Sequence, residues 1–93
     1  MSEGQVYWVE TAETARNEAL EYIAHRSLDA ALSQLEEIDR QTERLVDFPH
    51  LGRPSRIKGA RDLSVNRTNF IVIYRIIGHN IQITRFLHAA QKR

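Results

Sequence analysis

Residues 70–75, FIVIYR, put five apolar or aromatic side chains in a row before an arginine closes the run. A strand wetted on one side alternates apolar and polar residues, so this one needs cover on both faces. It lies in the middle of three strand-like segments: 61–66 (RDLSVN), 69–77 (NFIVIYRII) and 80–88 (NIQITRFLH). Only Arg67-Thr68 and Gly78-His79 separate them, and gaps that short are hairpin turns. The three segments therefore read as an antiparallel meander.

Ahead of the meander the apolar period changes. Ala12, Ala15, Ala19 and Ile23 fall on one helical face, and Leu28, Ala31, Leu35, Ile38, Thr42 and Leu45 step alternately by three and four. Helices are predicted over 12–25, capped by Thr11, and over 28–47, capped by Ser27 and ended by Pro49. A short β-rich segment at 6–10 (VYWVE) precedes them as a first strand. Residues 49–60, PHLGRPSRIKGA, hold two prolines, two glycines and three bases and read as a loop. The fold class is α+β: an N-terminal strand, a helical hairpin, and three antiparallel strands forming one sheet packed on the helices.

Two-residue turns set a register that can be tested by the faces it produces. Leu63, Val65, Phe70, Val72, Tyr74, Ile76, Ile81, Ile83 and Leu87 then look toward the helices, and only Arg61 and Arg85 spoil that face. The opposite face receives Asp62, Ser64, Asn66, Ile71, Ile73, Arg75, Ile77, Gln82, Thr84, Phe86 and His88. Ile71 and Ile73, joined by Phe86, form an apolar strip among polar neighbours. Such a strip predicts a partner-binding surface, or a strip covered by a terminal segment of the same chain.

At 93 residues the chain is expected to form one domain, 1–93, with a modest core. It has no cysteine, which excludes disulfides and thiolate metal sites. No apolar run approaches the length of a membrane span, and MSEGQVYW lacks a basic region followed by an apolar one. The expected compartment is the cytoplasm. Net charge is only +1, yet residues 1–48 hold eleven acids and four bases (−7) while residues 49–93 hold one acid and nine bases (+8). Either the two halves neutralise each other or the second half meets something anionic.

The residues offer little for catalysis. His25, His50, His79 and His88 have no metal-ligand spacing, no glycine-rich phosphate loop follows the first strand, and no serine lies in a nucleophile elbow. No metal or organic cofactor is expected. His88 ends the last strand near Arg75 by parity, where it is a contact residue, a general acid or base, or a hydrogen-bonded strand end. Arg61 and Arg85 within strands need acidic or carbonyl partners, and Arg75 looks outward as a candidate partner contact.

In order along the chain, WVETAETARNEALEYIA, AALSQLEEI, L-x-x-FPHLGRP, GARDLSV, NFIVIYRI and ITRFLHAAQKR resemble the RelE/ParE superfamily of toxins from type II toxin–antitoxin pairs. The resemblance covers nearly the whole chain. It implies one of two mechanisms: RelE-like members cleave messenger RNA on the ribosome, and ParE-like members block DNA gyrase without being nucleases. In the ribonuclease branch an arginine usually precedes the Leu-Val-Tyr of the third strand; the matching place here is Ile71, which cannot stabilise a phosphorane. Ala89 and Ala90 stand where that branch often supplies a tyrosine or further bases. The resemblance therefore leans to the ParE-like branch, with DNA gyrase as a protein target and nucleic acid met only through a complex. It implies a cognate antitoxin with an acidic, apolar-studded tail, a hetero-oligomer with it, and no membrane partner. The expected partner-binding residues are Arg61, Ile71, Ile73, Arg75, Phe86 and His88. The alternative is a ribonuclease built on His88, Arg75 and Arg85, and a further one is a toxin-like fold that has lost toxicity and only binds an antitoxin.

Overall fold

A computed structural model describes residues 3–92. The elements in chain order are strand β1 (Val6–Trp8), helices α1 (Glu10–Ala24) and α2 (Leu28–Asp47), and strands β2 (Arg53–Pro54), β3 (Arg61–Ser64), β4 (Phe70–Ile77) and β5 (Asn80–His88). A 3₁₀ turn, Ala89–Lys92, follows. The sheet order is β1-β5-β4-β3-β2, with β1 parallel to β5 and every other pair antiparallel. The α+β architecture anticipated from the periods is present, with β2 as an added short strand inside the 49–60 loop.

Local chemistry explains most boundaries. The Ser27 side chain accepts a hydrogen bond from Ala30 N–H at 3.1 Å and starts α2 as expected. Thr11 does not cap α1. Val9 N–H still donates to Ile83 O at 3.0 Å, so the strand register runs through Val9, whose own carbonyl then accepts from Glu13 N–H. The helix starts at Glu10 with no side-chain cap, and Glu10 and Glu13 supply negative charge to its first turn. The first strand correspondingly stops at Trp8 rather than residue 10.

The α2 seam buries Ala31, Ile38, Thr42 and Leu45, while Leu28, expected as its first member, is 62% exposed. Thr42 fits because its hydroxyl donates to Ile38 O at 2.8 Å. Helix α1 lies across β5, and α2 packs on α1 and the β1–β5 side of the sheet. Between helices and sheet sit Ile38, Leu45, Val65, Phe70, Val72, Tyr74, Ile81, Ile83 and Phe86, all buried. Gln41 is also buried. Its amide accepts from Asn66 N–H (2.8 Å) and donates to Asn66 O (3.0 Å), so a helix side chain pairs with the backbone just past β3 as a neighbouring strand would.

The β4–β5 ladder departs from simple pairing. Ile76 faces Ile81 and Tyr74 faces Ile83, as two-residue turns require, but Ile73 then faces Arg85, leaving Thr84 as an extra residue. This is a β-bulge, and it moves every later residue of β5 to the opposite face from the one anticipated. The Thr84 hydroxyl donates to Ile73 O at 3.2 Å and spans the irregularity.

Candidate functional site

The bulge redistributes the side chains predicted to meet a partner. Phe86, expected on the open face, faces Val72 and is a core residue, its ring 4.7 Å from that of Phe70. His88, also expected there, faces Phe70 and meets its ring edge-on at a centroid distance of 4.9 Å. Arg85, expected on the helix side, stands exposed on the open face opposite Ile73, and Leu87 joins it opposite Ile71. The bulge thus keeps an arginine out of the core.

Ile71, Ile73 and Arg75 do lie on the face away from the helices, but the isoleucines are only 7% and 3% exposed. The chain itself covers them, so they form no free apolar strip. By register Ile71 is flanked by Ser64 and Leu87, and Ile73 by Asp62 and Arg85. The 55–60 loop also reaches this face: a Cβ on Gly59 would lie 2.7 Å from Nη1 of Arg75. Arg61 belongs elsewhere. It faces Tyr74, and its guanidinium donates to Gly52 O at 2.6 Å. Its role is structural, because a strand arginine on the helix side needs a carbonyl and finds one in the loop above.

Arg61 is one of three pins on that loop. The buried Tyr74 hydroxyl donates to Pro49 O at 2.6 Å and accepts from Gly52 N–H at 3.0 Å. Burial raises the Tyr74 pKa above the ordinary phenol value, against weaker opposite pulls from the Gly52 N–H and Arg61. Gly52 is compulsory here, since a Cβ would stand 2.6 Å from Asp62 O and 2.7 Å from the Tyr74 hydroxyl.

Charge separates in space as it does in sequence. Arg53, Arg56, Lys58 and Arg85 are exposed on the open face or the loop beside it. Glu10, Glu13, Glu18, Glu21, Asp29, Glu36, Asp39 and Glu43 are exposed on the helices. The ion pairs Arg16–Glu13 (3.9 Å) and Arg40–Glu37 are each internal to one helix. Arg40 and then Gln41 hydrogen-bond the Glu37 carboxylate and lower its pKa.

Chemically, the open face gathers cations around one buried carboxylate, Asp62, which stands between Arg53 of β2 and Ile73 of β4 in the sheet register. Arg75 and Arg85 are diagonal neighbours across β4 and β5, a spacing of about 7–8 Å between such positions. His88 is on the other face, so the three residues of the alternative ribonuclease site are not brought together. No group of three or more metal-ligating side chains occurs among the described residues. No helix among them is long and apolar enough to cross a membrane.

Residues 6–93 match the sequence profile described as the ParE toxin of type II toxin-antitoxin system, parDE. The chain is 32% identical over 92 residues to a Sinorhizobium fredii protein named "Putative toxin Y4kP", covering 99% of this chain and 95% of that one. Its fold superposes with a TM-score of 0.77 on a chain of the chromosomal ParDE TA system from P. aeruginosa. That match has 28% identity and spans 90% of this chain and 94% of the other.

Proposed function

The chain belongs to the ParE toxin family of type II toxin–antitoxin systems, and from that premise we propose that it is a non-catalytic toxin that inhibits DNA gyrase by protein–protein binding. It works in the cytoplasm, held inactive there by a cognate antitoxin. The observation that carries this reading is in the middle strand of the meander, β4. Where RNA-cutting relatives of the superfamily place an arginine, this chain has Ile71, an alkyl side chain 7% exposed. Nothing at that position can stabilise negative charge developing on a phosphate. The residues left for a ribonuclease are split across the sheet, with Arg75 and Arg85 on one face and His88 against Phe70 on the other. General acid–base work requires groups within hydrogen-bond reach of one reacting site.

The antitoxin reading rests on charge. A cationic sheet face beside an exposed cationic loop suits an acidic tail, and opposite charge speeds the encounter. Of the residues expected to meet a partner, Arg75 keeps an outward position, and Arg85 and Leu87 join it in place of Phe86 and His88.

The test adds purified protein to a gyrase supercoiling reaction and, separately, to a translation reaction. Inhibited supercoiling with intact message is the expected result. Cleaved message, lost on His88→Ala or Arg85→Ala, would replace this reading with the ribonuclease. Neither effect, together with tight antitoxin binding, would reduce the chain to an antitoxin partner without toxicity.

A further inference from the structure

The loop that follows α2 carries two large apolar side chains that the fold leaves in water. Phe48 is 58% exposed and Leu51 47%. Their backbone is not loose. Phe48 N–H donates to Arg44 O (2.9 Å) and Leu51 N–H to Phe48 O (3.0 Å), while Tyr74 and Arg61 fix Pro49 and Gly52 from beneath. A buried phenol and a strand arginine are thus committed to the main chain of a surface loop. The result is a rigid ridge with both side chains turned outward.

The ridge stands between two clefts. One, of about 700 Å³, is lined by Val46, Pro49, Ile76 and Ile81 among others, and the second, of about 400 Å³, by Arg44, Leu51 and Arg53 among others. The Arg44 guanidinium lies 5.8 Å from the Phe48 ring centroid. From Phe48 to Arg61 the chain has four cations (Arg53, Arg56, Lys58, Arg61) and no carboxylate. A pre-ordered backbone reduces the entropy lost on association. Aromatic and arginine anchors beside pockets are the usual centres of binding energy in protein interfaces.

We infer that this ridge is the surface with which the toxin grips its protein target: Phe48 and Leu51 enter an apolar cleft on the target that is rimmed by carboxylates, and Arg53 meets that rim. The inference deepens the gyrase reading and rests on it. It assigns the target to the α2–β2 loop and leaves the cationic sheet face to the antitoxin.

The test compares the parent chain with Phe48→Ser/Leu51→Ser and, separately, Arg53→Glu in supercoiling inhibition by intact gyrase. Thermal unfolding checks that each variant folds, and sedimentation gives the oligomeric state. The double variant should inhibit at least ten- to a hundred-fold less well at an unchanged Tm. Arg53→Glu should lose about tenfold at low salt and approach the parent at high salt. Equal inhibition by parent and double variant would overturn the inference and leave the gyrase reading standing. A parent chain without effect on supercoiling would overturn both. A dimer of the parent abolished in the double variant, with inhibition unchanged, would give the ridge to a second copy and likewise overturn it.

Discussion

Tyr74 concentrates the consequences of single residues. Its hydroxyl is the buried link between the core and the Pro49–Gly52 loop, so Tyr74→Phe strands a carbonyl and an N–H at once. The expected loss is about 1–3 kcal/mol by urea unfolding. The same group sets an alkaline limit. Its pKa is raised in the folded state, so the stabilisation is complete below the unfolded value of about 10 and is lost as pH rises through the folded value. The Tm gap between the parent and Tyr74→Phe should therefore narrow above about pH 10; a constant gap would refute the assignment. Gln41 makes a parallel case where α2 meets the backbone just past β3. Gln41→Leu removes both bonds to the Asn66 backbone from a buried site and should cost about 1–3 kcal/mol in the same measurement.

Among the elements, the bulge in β5 decides which side chains are core. Deleting Thr84 would restore one-to-one pairing with Arg85 still opposite Ile73 and Phe86 still opposite Val72, so every later side chain keeps its present face. Cooperative unfolding should therefore survive the deletion, and Thr84→Ala, which keeps the residue count, should cost about 1 kcal/mol or less. Circular dichroism melts of the two variants check both outcomes, and loss of cooperativity on deletion would refute this register. Ser27→Ala should cost α2 about 1 kcal/mol through its cap. The same elements separate what was legible in the sequence from what was not. The α2 seam and Ser27 could be read because their spacing and chemistry are local. The bulge has no glycine or proline to announce it. Its trace is the spacing Ile81, Ile83, Phe86, where an apolar alternation skips by three, and the arginine that a strict alternation forces into the core. The unbroken apolar run shows that Ile71 and Ile73 need cover, but not that the bulged β5 brings Arg85 and Leu87 beside them. Phe48 and Leu51 were passed over inside a stretch rich in proline and glycine, where turn chemistry dominates the pattern.

At the level of the whole molecule, exposed carboxylates concentrate on the helices, while the sheet and its loop carry an excess of cations. Association with an acidic partner should slow by about tenfold or more between 50 mM and 500 mM salt, with little change in dissociation, as stopped-flow mixing would report. The topology carries a different consequence. Strand β1 is completed only by β5: Gln5 N–H bonds the Asn80 side chain, and Val6 pairs with Ile81. While a nascent chain is being made, its first strand therefore waits for partners 75 residues downstream. At about 5–20 residues per second, that delay is roughly 4–15 s. A polypeptide released short of Asn80 has nothing to close its sheet, so premature termination gives a fragment without a folded surface to do harm.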